Sequence, residues 1–160
     1  MEIERKFLVK RLPAHLSERE HCAISQAYVC ADPVIRVRRS ERNGEERFIL
    51  TVKGKGLGAH EEFELPLSRE SYEELAAKRV GRAVEKTRYV IPLPGRGGRS
   101  LTAELDIFEG EWKGLLMVEV EFESEEEMAA FVPPAWFGQD VTQDSRYYNA
   151  NMALSEKPFV

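Results

Sequence analysis

Val34-Ile35-Arg36-Val37-Arg38-Arg39 decides how this chain is read. Ile35 and Val37 project to one side of an extended backbone and Arg36 and Arg38 to the other, since strand side chains alternate with a period of two. The same rhythm continues outward from it. Toward the N-terminus, Glu2, Glu4 and Lys6 oppose Ile3, Arg5 and Phe7. Toward the C-terminus, Thr51 and Lys53 oppose Phe48, Leu50 and Val52, and Glu62 and Glu64 oppose Phe63 and Leu65. Lys86, Arg88 and Val90 then share a parity, and Thr102, Glu104 and Asp106 oppose Leu101, Ala103, Leu105 and Ile107. Last, Glu119, Glu121 and Glu123 oppose Val118, Val120 and Phe122.

Asn43-Gly44 is a hairpin signal after the Arg36 run. Gly54-Lys55-Gly56-Leu57-Gly58 reads as a loop; it has neither the Gly-Lys-Ser/Thr of a Walker motif nor a following helix. Pro92 to Gly98 reads as a break. About seven strands follow from these runs, which indicates an antiparallel sheet or barrel. Helices are fewer. Ser71-x-x-Glu74 reads as a capping box for a helix over 72–80 closed by Gly81, and Ser124-x-x-Glu127 as one for a helix from Glu125 to about Val132, stopped by Pro133-Pro134. Residues 12–29 read as helical in part; the tail after Pro133 has no clear period, with room for a helix within 144–154.

The chain has 160 residues, the size of one domain spanning 1–160. With 23 Lys+Arg against 28 Asp+Glu, its net charge is −5 and its pI about 5.4, a poor profile for bulk nucleic-acid binding. Cys22 and Cys30 make neither a disulfide scaffold nor a four-ligand zinc site. Met1 to Lys6 has no apolar signal core, and no run reaches the length of a membrane helix. The expectation is a cytoplasmic protein with no nucleic-acid or membrane partner, and with room for a homodimer. His15, His21 and His60 lack ligand spacing, and Trp112 and Trp136 read as core or helix-covering residues.

Charged strand faces usually face water, but these charges come as same-sign pairs two apart, in nearly every strand. Like charges at that spacing repel, so a surface selected for solubility would avoid them. If their faces instead meet across one volume, a barrel of about eight strands has room for one small ligand. Arginines, lysines and carboxylates lining that volume need compensation by water, ions and ligand. A polyanion bridged to carboxylates by a hard divalent cation provides it.

The motifs resemble the CYTH family, the triphosphate tunnel metalloenzymes. The resemblance rests on Glu2-Ile3-Glu4-Arg5-Lys6, then Arg36/Arg38, Thr51/Lys53, Glu62/Glu64, Lys86/Arg88, Glu104/Asp106 and Glu119/Glu121 in order. Glu85 to Tyr89, Pro133 to Gly138 and Asp144 to Asn149 look like its small bacterial branch, whose characterised members are inorganic triphosphatases.

The resemblance implies an α+β fold: an eight-stranded antiparallel β-barrel with a charged interior, covered outside by a few helices. It implies metal-dependent hydrolysis of inorganic triphosphate, with Mg²⁺ or else Mn²⁺. On charge, Lys6, Arg36, Arg38, Lys53, Lys86 and Arg88 are the candidate phosphate contacts. Glu2, Glu4, Glu62, Glu64, Glu104, Asp106, Glu119 and Glu121 are the candidate metal ligands. Lys6, Tyr28 and Lys86 are the candidate catalytic groups, with Tyr28 expected to have its pKa pulled down beside Lys6. Arg146 and Asn149 are candidates for closing one mouth, with helix packing as the alternative. Adenylate cyclases of class IV type and nucleoside or thiamine triphosphatases remain alternatives with the same motifs. A non-catalytic polyphosphate-binding module is the alternative from another class.

Overall fold

The alternating runs become one antiparallel sheet in the computed structural model, which describes residues 3–54, 62–94 and 100–155. Its strands are β1 (Ile3–Val9), β2 (Glu20–Ala31), β3 (Val34–Arg42), β4 (Glu45–Lys53), β5 (Glu62–Pro66), β6 (Val80–Pro94), β7 (Ser100–Phe108), β8 (Leu116–Phe122) and β9 (Phe137–Asp140). Among the described residues three α-helices accompany them: α1 (Arg69–Ala77), α2 (Glu125–Ala130) and α3 (Asn149–Leu154). The nine strands lie in the order β5-β4-β3-β2-β6-β7-β8-β1-β9. Among the described residues the edges β5 and β9 do not pair, so the sheet is open, with nine strands in place of the closed eight-stranded barrel.

The sheet is nevertheless strongly curled. Lys6 on β1 and Lys86 on β6 are separated by β8 and β7, which on a flat sheet means three strand spacings, about 14 Å. Their ammonium groups nonetheless reach the Tyr147 carbonyl and the Asn149 side chain, two residues apart in the chain. The charged parity is therefore on the concave side.

The convex side is apolar and covered. Phe7, Leu105, Val118, Val120 and Phe137 form one cluster under Met128 of α2 and Phe131. Val37, Ala27 and Tyr72 of α1 form another with Phe48 and Leu50. A third cluster lies at one end of the concave side: Tyr28, Val84, Phe108, Trp112 and Met117 pack on Met152 and Ala153 of α3. Trp112 and Trp136 thus have the packing roles expected of them.

Several local expectations need correction. Residues 12–29 hold one 3₁₀ turn, Leu16–Glu18, and then the long strand β2. Both faces of β2 are covered, so Ile24, Ala27 and Tyr28 are all buried and the polar contrast that marks a strand is weak. Ser68, not Ser71, caps α1: its side chain accepts the Ser71 N–H at 3.1 Å. That helix ends at Ala77, and Gly81 belongs to β6. Ser124 caps α2 as expected, accepting the Glu127 N–H at 3.1 Å. Strand β6 runs through Pro92 to Pro94, because β2 begins at Glu20, opposite Val90, and no bond to β2 is required beyond it. Asn43 and Gly44 both have positive φ, the geometry of the tight hairpin turn. The loop at 55–58 and His60 lie outside the described residues, and His15 and His21 are exposed.

Gly81 has φ +68° and faces the Ala153 carbonyl of α3 so closely that no Cβ fits between them. Gly81→Ala should lower the unfolding free energy by at least ~1–2 kcal/mol, from left-handed backbone cost alone. Urea titration measures it; an unchanged midpoint would contradict this seating of α3.

Candidate active site

The centre of the concave face is a buried ion network. Asp106 on β7 accepts from Arg88 on β6 through both oxygens, at 2.8 and 3.0 Å. It also lies 2.8 Å from Lys86 Nζ. Arg88 reaches Glu104 at 3.0 Å as well. Next to this, Lys6 Nζ lies 3.1 Å from Glu119 on β8 and 4.5 Å from the Tyr148 ring centre. Lys6, Lys86 and Asp106 are only 5%, 3% and 3% exposed, so water screens them little.

Burial and neighbouring charges set the protonation states. Burial pushes Asp106 up, but the charges of Lys86 and Arg88 and their hydrogen bonds outweigh it and hold its carboxyl at about 2. Burial brings Lys86 down to about 8, against the pull of Asp106. Burial raises Glu119 too, and Lys6 and Lys86 more than offset it, so its pKa is lowered. At neutral pH these groups are ionised. Asp106, expected among the metal ligands, is thus engaged in holding two cations.

Arg36 and Arg38 on β3, both half-buried, differ from the buried cations Lys6 and Lys86. Arg36 donates to Thr51 Oγ1 at 3.3 Å and lies beside Tyr28, and among the described residues its Nε is buried without a partner. Arg38 Nε donates to Gln26 Oε1 at 3.0 Å. Burial, then the Arg36 and Arg88 charges, bring Arg38 down to about 10, which leaves it charged. Two guanidinium groups therefore share this side of the cleft with hydrogen-bond partners that are neutral.

Tyr28 belongs with these arginines, and Lys6 with Glu119 and Tyr148. The lowered Tyr28 pKa expected beside Lys6 is not found. Burial raises it, and Arg36 and Arg38 only partly oppose the rise. Tyr28 is a neutral phenol at ordinary pH.

The carboxylates form a cross-strand set. Glu4 on β1 stands opposite Glu121 on β8, and Glu119 opposite Glu104 on β7. Like charges directly opposite are destabilising unless a cation lies between them. Their oxygen chemistry fits Mg²⁺ or Mn²⁺. Among the described residues no three acids, histidines or cysteines form a ready cage. Uptake by one or two carboxylates plus ligand oxygens, the usual way Mg²⁺ is held, matches this arrangement. Glu104 and Glu121 also line a pocket of about 390 Å³ with Ser100 and Thr102.

The other candidates are more dispersed. Glu62 and Glu64 are exposed on the edge strand β5, in register with Lys53 and Thr51, several strands along the sheet order from the β1/β7/β8 acids. Glu2 lies outside the described residues. Arg146 is exposed and pairs with Asp144 at 2.7 Å, whereas Asn149 points into the network. Gln26, 1% exposed, is a site residue that the alternation did not single out; its only signal was sharing Tyr28's parity.

Asp106→Ala leaves the buried Lys86 and the half-buried Arg88 beside an empty position. Breaking a buried ion pair in this way should cost ~3–5 kcal/mol of stability. Denaturant unfolding measures the loss, and one below ~1 kcal/mol would mean the network is far wetter than the structure shows.

No family model matches the chain. An inorganic triphosphatase of Nitrosomonas europaea is 40% identical over 154 residues, covering 96% of this chain and 97% of that one. One from Acetivibrio thermocellus is 36% identical, covering 94% and 92%. A crystal structure of an inorganic triphosphatase superposes with a TM-score of 0.71 at 39% identity, covering 97% of this chain and 95% of that one. With identity of this order along nearly the full length of both chains and a common fold, this chain belongs to the inorganic triphosphatase family, the CYTH-type triphosphate tunnel metalloenzymes.

Proposed function

We propose that this chain hydrolyses inorganic triphosphate to pyrophosphate and orthophosphate, with Mg²⁺ or Mn²⁺ as cofactor. The observation that carries the reading is the pair Arg36 and Arg38, two guanidinium groups whose bonded partners among the described residues are neutral, with one buried donor unmet there. Buried donors are normally satisfied, so an anion is the missing partner. Lys6, Arg38 and Lys86 stand on three different strands of the curled face, so an occupant that meets them all has several phosphates. The names of the 40% and 36% identical relatives agree with this substrate.

Charge and position together support the following roles. Arg36, Arg38 and Arg88 suit bidentate contacts to phosphate, and Lys6, Lys53 and Lys86 act as point charges. Tyr28, neutral beside Arg36, orients an oxygen by hydrogen bonding and does not serve as a phenolate. A divalent cation held by Glu4, Glu119 and Glu121, with Glu2 as a further ligand, would neutralise phosphoryl oxygens. Water adds in line to a terminal phosphorus, the bridging P–O bond breaks, and pyrophosphate leaves with the electron pair. Lys6 and Lys86 stabilise the charge that develops as this bond breaks.

Phosphate release compared on tripolyphosphate, ATP, thiamine triphosphate and long polyphosphate, with and without Mg²⁺ and chelator, tests the proposal. Tripolyphosphate is expected to be the best substrate, and chelator to abolish turnover. Metal-independent turnover, or preferred formation of cyclic AMP from ATP, would overturn it. Lys86→Ala and Glu4→Gln should each reduce turnover at least ~100-fold. Because kcat/KM reports the free enzyme, it should fall above pH 8 as Lys86 loses the proton that burial has weakened to about 8. Lys86→Arg keeps its charge and should lack that alkaline limb.

A further inference from the structure

Arg38 and Lys86 stand on strands that flank β2, and a continuous line of hydrogen bonds joins them. Arg38 Nε donates to Gln26 Oε1 at 3.0 Å. Gln26 Nε2 donates to Asn149 Oδ1 at 2.8 Å, and Lys86 Nζ donates to that same oxygen at 2.9 Å. Chemistry fixes both amide orientations. Arginine and lysine only donate, so Gln26 must present its oxygen to Arg38, and Asn149 its oxygen to Lys86. What remains for the Gln26 amide is to donate across to Asn149. Beyond Lys86 the line continues through Asp106 to Arg88, so three cations are tied into one chain.

Asn149 is the first residue of α3, whose Met152 and Ala153 are fully buried against Tyr28, Val84 and Trp112. The seat of α3 and the separation of Arg38 from Lys86 are therefore linked by two amides. We infer that Gln26 and Asn149 are positioning residues for triphosphate hydrolysis, bridging Arg38 and Lys86 so that their spacing depends on α3 being docked. This rests on the triphosphatase reading above, and concerns which residues set the geometry, not which touch the substrate.

The test uses the full chain with tripolyphosphate and Mg²⁺, reading kcat, KM and the thermal midpoint. Wild-type turnover tests the triphosphatase reading by itself, and variant-to-wild-type ratios test the bridge. Gln26→Leu and Asn149→Leu should each lower kcat at least ~10-fold with a cooperative melt retained. The double variant should fall no further than the worse single, because elements in series fail once. Asn149→Asp, which keeps an oxygen for both donors, should recover most of the loss. Wild-type kcat and KM in both leucine variants would overturn the inference. So would additive losses in the double, or Asn149→Asp as poor as Asn149→Leu. If a leucine variant fails to fold, Gln26→Glu replaces it: it keeps the acceptor for Arg38, loses the donor to Asn149, and should also fall ~10-fold, with wild-type kcat overturning the inference. If the wild type does not turn over, calorimetric binding of tripolyphosphate without Mg²⁺ is read instead. The leucine variants should then bind at least ~10-fold more weakly, and equal affinity would overturn the bridge.

Discussion

The bond on which the rest depends is the one Asp106 makes to Arg88 and Lys86. Three charges are removed from water at the centre of the concave face, and they are tolerable there only because each satisfies another. This arrangement requires the sheet to keep its polar parity inward. That in turn leaves Phe7, Val37, Val118 and Val120 on the convex side, where α1, α2 and the residues around Phe131 and Trp136 cover them. A sheet with this inversion cannot work flat. Its curl lets residues 147–149 be reached from β1 and β6 at once.

Much of this was legible in the sequence because alternation is a local property. Among the described residues each of the seven alternating runs falls on a strand, with Glu123 just past the end of β8, and the like-signed pairs share one face. What escaped was decided at a distance. β2 was obscured because tertiary covering of both its faces removed the polar contrast, and β9 is only four residues long. The helix cap moved from Ser71 to Ser68 because either serine could supply the oxygen, and only the path of the chain from β5 selects between them.

The site shows the same division. The charge types and their parity placed Lys6, Arg36, Arg38, Lys86 and Arg88 together, but not their partners. Tyr28 goes with Arg36, and the irregularity in β2 pairing between Tyr28 and Cys30 is not encoded in any short motif. Asp106 reads as one more acid in a row of acids until its neighbours on β6 are known. Gln26 and Asn149 have no charge to announce them, and they lie 123 residues apart in the chain.

Arg36 and Arg38 carry a consequence for the protein at rest. With neutral groups as their bonded partners among the described residues, the charge of Arg36 works against that of Arg38. An anion that settles between them relieves a tension already built into the native chain, so occupancy should tighten the whole sheet as well as fill the cleft. Ligand capture and conformational endurance would then draw on the same repulsion.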